Sequence, residues 1–154
     1  MKKFEHYHPM MSAHYTLDWL TQTPLKVIHA AIPTERSMTE MAQVVSKAMQ
    51  LVMHNQALIW GIVQRDNQQF AGVASLSIDT VAQCAELKFI YQADRLPVAG
   101  RNEIIDYLAA FTFAELELPH FVITLAATDN ALRQNLITQG YQTTKQPQKL
   151  IKNK

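Results

Sequence analysis

The chain has 154 residues, 48% of them hydrophobic and 18% charged, which suits one compact domain with its own core and excludes a disordered tail. A formal net charge of +1 at pH 7 removes the electrostatic case for nucleic acid, which needs a concentrated basic face. The apolar runs are too short to cross a bilayer and the single cysteine, Cys84, cannot pair within the chain, so the expectation is a cytoplasmic protein that binds neither membrane nor nucleic acid.

The first twelve residues, MKKFEHYHPMMS, lack sustained periodicity and read as a flexible N-terminal arm before a single domain over residues 13–154. Lys2 and Lys3 are followed by Glu5 and histidines rather than an apolar core, so no signal peptide is read there. In HYTLDWLT, Tyr15, Leu17 and Trp19 alternate with Thr16 and Asp18, the period of a strand. From Ser37 to Asn55 the apolar residues Met38, Met41, Val44, Val45, Ala48, Leu51 and Val52 fall at helical intervals. Ser37 with Glu40 three residues on has the form of a capping box. Two strands, ALIWGIVQ and QFAGVASLSI, follow across the polar turn RDNQ, and AELKFIYQ alternates as a third. NEIIDYLAAFTFAEL is helical, with Ile104, Ile105, Leu108, Ala109 and Phe111 on one side. HFVITLAA is a β-branched strand, and DNALRQNLITQG a short helix closed by Gly140 as a left-handed cap. The tail holds one strand or two short ones around Pro147. The order implies an α/β (α+β) domain with a mixed sheet.

Few residues carry chemistry by type alone. RLPVAGRNEII, residues 95–105, leads from a strand into a helix, whose first N–H groups lack intrahelical partners and attract anions. His6, His8 and His14 lie in the arm without a cysteine or carboxylate pair, so no metal site is read. Cys84 is a nucleophile only if the fold gives it a histidine partner. The methionines of residues 38–53 read as core filler, with a substrate groove as the alternative.

The order of these segments resembles the GNAT superfamily of N-acetyltransferases over residues 15–145, with the closest flavour that of the group acetylating N-terminal alanines of ribosomal proteins. Trp60 and Gly72 fall on that group's strand tryptophan and strand-opening glycine. Ala85-Glu86-Leu87 falls on its Ala-Glu-Ile, and Leu96 to Arg101 on its Gln/Arg-x-x-Gly-x-Gly/Ala acetyl-CoA loop. Glu103, Phe113, Leu116, Leu118 and Gly140-Tyr141 match positions in and after the helices. The resemblance implies a mostly antiparallel mixed sheet with helices on both faces, acetyl-CoA as cosubstrate, an amine acceptor (a protein N-terminus or a small amine) and a homodimer. It assigns the cofactor to Phe89, Ile90 and Tyr91 along the strand, to Val98, Ala99, Gly100, Arg101 and Asn102 at the loop, and to Asn130 or its neighbour Asp129. Glu86 becomes the candidate general base, the alternative being a surface glutamate paired with a lysine of a neighbouring strand or with Lys88 on its own face.

This chain also departs from the pattern. Leu96 replaces the polar loop residue, Ala99 the central glycine and Arg101 the small final residue, while Pro97 removes an N–H. Gly100 is left to supply any special loop geometry, and Arg101 to supply charge. Leu132 or Arg133 stands where the group has serine, and Leu136 where other members carry an acid tyrosine. The alternative reading is a catalytically inactive GNAT-fold sensor of CoA or an interaction module.

Overall fold

A computed structural model describes residues 3–154; Met1 and Lys2 lie outside the described residues. The strands are β1 (Met10–Met11), β2 (Tyr15–Trp19), β3 (Ala57–Gln64), β4 (Phe70–Asp79), β5 (Cys84–Tyr91), β6 (His120–Thr124), β7 (Gln142–Thr143) and β8 (Lys149–Asn153). The helices are α1 (Leu25–Ala31), α2 (Met38–Met53), α3 (Val98–Ala114) and α4 (Asn130–Thr138). All eight strands join one sheet in the order β1-β2-β3-β4-β5-β6-β8-β7. Every pairing is antiparallel except β5 with β6, which is parallel because α3 carries the chain back across the sheet between them.

Period-two alternation sorts the strand residues onto two cores. Leu58, Trp60, Ile62, Ala74, Leu76, Leu87, Phe121 and Ile123 face α3 and α4, joined by Ile104, Leu108, Leu132 and Leu136. Val73, with Ile59 and Val63, faces α1 and α2 and packs on Ile28, Met41 and Ala48. The helix signals act as expected: Ser37 and Glu40 form a reciprocal capping box at α2. α4 ends in a Schellman turn, with Gly140 at φ 101°, its N–H on Ile137 O and the Tyr141 N–H on Leu136 O. The tail forms the two-strand version, β7 and β8.

Two features differ from expectation. Residues 25–31 form α1, a helix whose Leu25, Ile28 and Ala31 spacing is too short to stand out against its flanks. The N-terminal segment, expected as a flexible arm, is docked from residue 3 onward. Phe4 and Tyr7 are buried, Tyr7 meets Phe111 edge-on at 5.0 Å, and its carbonyl accepts from Trp60 Nε1 at 2.9 Å. The physical reason is aromatic area, which Phe4 and Tyr7 supply without any periodicity. Glu103 on α3 completes the tie, accepting from the Ser12 hydroxyl and from the His14 N–H at 2.9 Å.

Candidate functional site

The site begins where two strands part. β5 pairs with β4 along its length, from Cys84 opposite Asp79 to Tyr91 opposite Gly72. It pairs with β6 only from Cys84 opposite His120 to Leu87 opposite Ile123. Lys88 to Tyr91 therefore run on with their β6-facing main chain open, and an open strand edge offers N–H and C=O groups to an extended ligand. Gly72 fixes this end of β5, since a Cβ there would lie 2.7 Å from Ile90 O. Phe89 and Tyr91 pack toward the α3 side, while Ile90 points to the opposite face.

α3 starts beside this edge. Pro97 is its N-cap, and the first intrahelical bond runs from Arg101 N to Pro97 O at 3.0 Å. The N–H groups of Val98, Ala99 and Gly100 precede that bond, and among the described residues no side chain caps them. Ala99 is exposed and helical, so its methyl costs nothing in backbone conformation. Gly100 has a different task from the expected one. It lies inside α3 with ordinary helical geometry, and a Cβ there would fall 2.1 Å from the Tyr15 hydroxyl oxygen. This glycine seats Tyr15 against the first turn; it does not shape a loop.

Arg101 turns inward. It is 3% exposed, its Nη2 meets Asp129 Oδ1 at 2.6 Å and its Nη1 donates to Leu96 O at 2.6 Å. Its guanidinium lies over the Tyr91 ring at 4.3 Å, and the Tyr91 hydroxyl donates to Asp129 Oδ2 at 3.2 Å. Burial pushes the Tyr91 phenol up, against the Arg101 charge and with the Asp129 charge. Arg101 Nε has no hydrogen-bond partner among the described residues. These three side chains link the end of β5, the first turn of α3 and the N-cap of α4, and so cross the gap that the strands open. Asn102 faces elsewhere, accepting from Gln139 Nε2 at 3.4 Å, and Asn130 is exposed at the start of α4. Asp129, seen in the sequence only as an alternative to Asn130, is the residue that binds the cluster together.

On the other face Glu86 shares its side of β5 with Lys88 and Ile90. Its carboxylate accepts from Lys149 Nζ at 2.8 Å and Thr124 Oγ1 at 2.9 Å, with Lys88 Nζ at 3.3 Å. Burial raises its pKa, but the bonds from Lys149 and Thr124 and the charges of Lys149 and Lys88 bring it below the usual glutamate range. On α4, Leu132 and Leu136 are fully buried, so neither of these positions offers a hydroxyl to the cleft. Cys84 does have a histidine opposite it, His120, whose Nδ1 pairs with Asn153 Oδ1 at 2.7 Å. Burial and the Asp79 and Glu86 carboxylates push its thiol up, away from the thiolate. The arm histidines reach separate carboxylates: His8 lies 2.9 Å from Asp18, His14 2.6 Å from Glu103 and His6 4.0 Å from Glu5.

Solved structures share this architecture. A Vibrio cholerae protein assigned as a ribosomal-protein-serine acetyltransferase superposes with a TM-score of 0.79 at 14% identity, over 95% of this chain and 97% of its own. FdhC, a nucleotide-linked sugar GNAT, superposes at 0.75 with 11% identity over 94% and 89% of the two chains. The chain adopts the GNAT acetyltransferase fold. The microcin C7 self-immunity acetyltransferase MccE, solved with acetyl-CoA and AMP, also superposes, at 0.64 with 14% identity over 92% and 93%. No protein-family model and no curated protein matches the sequence. The GNAT fold thus carries through a sequence whose loop and α4 positions have changed. Of the positions that depart from the expected pattern, Arg101 and Asp129 stand with Tyr91 at the parted strands, whereas Leu96, Leu132 and Leu136 are buried in the core. Among the described residues no helix is long and apolar enough to cross a membrane.

Proposed function

We propose that the chain is an acetyl-CoA-dependent N-acetyltransferase, moving an acetyl group to a primary amine by direct attack in a ternary complex. The observation that carries this reading is the open edge of Lys88–Tyr91 lying beside the uncapped N-terminus of α3. A pantetheine arm is an extended chain with amide groups, and it adds to Phe89, Ile90 and Tyr91 as a further strand would. The diphosphate meets the N–H groups of Val98, Ala99 and Gly100 and the positive end of the helix dipole. Arg101 exchanges Asp129 for a phosphate oxygen, since carboxylate and phosphate present similar acceptors to a guanidinium. A main-chain N–H on the same edge polarises the thioester carbonyl.

The acceptor, a protein N-terminus or a small amine, approaches from the face that carries Glu86 and Ile90. Lys149, Thr124 and Lys88 hold Glu86 as a carboxylate and limit its basicity, so it draws an ammonium acceptor toward the cleft and hands its proton to water. A full general base contributes about 10²–10⁴-fold; Glu86→Gln is expected to slow transfer by less than about tenfold. The departing CoA thiolate, with a reference pKa of about 8.5, takes its proton from water or the product ammonium.

The Arg101–Asp129 pair across the cleft also favours a second reading, a CoA-binding sensor without turnover. Calorimetry with acetyl-CoA, followed by release of free thiol in the presence of an amine panel, separates the two. Binding with thiol release supports the transferase, binding without it the sensor, and no binding at high micromolar cofactor removes both.

A further inference from the structure

We propose that the acceptor is an amine carried on one compact apolar group, aliphatic or aromatic, and that polycationic amines are excluded; this rests on the transferase reading above. A groove of about 270 Å³ lies between α1, α2 and the sheet, walled by Ile28, Ile32, Met41, Val44, Val73 and Ile90. Ile32, Met41, Val44 and Ile90 also belong to a wider cleft of about 790 Å³, whose rim carries Glu35, Arg36 and Glu40. The two spaces therefore form one path from a charged mouth to an apolar interior. Ile90 is 47% exposed, lines both spaces, and stands on the part of β5 that β6 leaves unpaired. The path thus opens at the edge where a thioester would lie.

The charge distribution selects the occupant. Glu35 and Glu40 stand at the mouth, and the capping box with Ser37 holds Glu40 in place. Inside, the lining has no carboxylate; its polar members are Ser75 and the cation Lys47. An ammonium carried inward would lose its water, find no counter-charge and meet Lys47. An apolar group loses nothing there and excludes water from the wall. Size sets the upper limit: a cavity of about 150 Å³ holds a benzene, so this one accommodates a single aromatic or branched group with its linking carbons. The methionine readable in sequence as core or groove lining serves as both, since Met41 is 1% exposed and faces this space.

The test uses the full chain with ¹³C-methyl-labelled methionine and no cofactor. Titration with phenethylamine is expected to shift the Met41 methyl signal saturably while Met10, in the other core, stays fixed; spermidine at equal concentration is expected to leave Met41 unmoved. Val44→Lys, at a half-buried wall position, is expected to abolish the phenethylamine shift. With acetyl-CoA added, kcat/KM for phenethylamine is expected to exceed that for spermidine at least tenfold. A silent Met41 in the wild-type protein, or an equal response to spermidine, overturns the proposal without using the variant. A Met41 response without acetyl transfer keeps the groove and removes the transferase reading, whereas transfer without selectivity does the reverse.

Discussion

Asp129→Asn is expected to lower stability and raise cofactor affinity in the same protein. In the free chain Asp129 Oδ1 is the counter-charge of Arg101, at 2.6 Å, and the Arg101 side chain is 4% exposed. Removing one partner of a buried ion pair costs about 3–5 kcal/mol because the other charge stays buried. Here the guanidinium keeps the Leu96 carbonyl and the Tyr91 ring, and asparagine still accepts a hydrogen bond, so the low end, about 3 kcal/mol, applies. For a chain of 154 residues that corresponds to a fall of roughly 6–12 °C in Tm. Urea unfolding followed by fluorescence of the buried Trp19 and Trp60 measures it. Arg101 then no longer has to leave a carboxylate in order to reach a phosphate, and a difference of about 1.4 kcal/mol is tenfold in Kd. Calorimetry should therefore show acetyl-CoA binding about tenfold tighter. The double variant Arg101→Met with Asp129→Leu should recover stability and lose the affinity gain. An Asp129→Asn protein as stable as the parent, or one that binds the cofactor more weakly, refutes the reasoning.

Three further outcomes follow from the packing and the charges. Gly100→Ala should destabilise by about 1–3 kcal/mol by forcing Tyr15 off the first turn of α3, and Tyr15→Leu should restore part of that loss; an unaffected Gly100→Ala would contradict the contact. Glu86→Gln should be less stable than the parent above the ordinary glutamate pKa of 4.5 and converge with it as pH falls, because a folded-state pKa held low gives stability that is lost on protonation. Denaturation across a pH series reads this, and a gap that widens toward acid would show the sign to be wrong. Tyr141→Phe should gain about 1 kcal/mol, since the buried Tyr141 hydroxyl has no partner among the described residues; a loss on denaturation would mean that the hydroxyl is satisfied.

The fold was legible because its signals are local or periodic: the Ser37–Glu40 box, Gly140 after α4, and the alternation that places Trp60, Leu87 and Phe121 on one face. α1 was not, because seven residues give too few repeats, and the docking of Phe4 and Tyr7 was not, because it depends on contacts with Trp60 and Phe111 far along the chain. The site divides the same way. Phe89, Ile90 and Tyr91 fall on the open edge: alternation gives the strand they belong to, and the family resemblance, not the pattern, singles out these three positions on it. The partners of charged groups cannot be placed from either. Arg101 reads as a free cation until Asp129, 28 residues on, takes it, and Glu86 reads equally as a base or as a lysine-paired glutamate, with nothing in the sequence to single out Lys149, 63 residues on, as its partner. Gly100 shows a third limit: a glycine kept for a neighbour's side chain looks the same in sequence as one kept for backbone freedom.

Amide hydrogen exchange of the chain with and without acetyl-CoA tests the central claim most directly. Slower exchange confined to the outward amides of Lys88–Tyr91 and to Val98, Ala99 and Gly100 is the predicted result, because those are the donors that the parted strands and the uncapped helix leave open. Unchanged exchange in both segments at saturating cofactor, or protection that falls elsewhere on the chain, would contradict it.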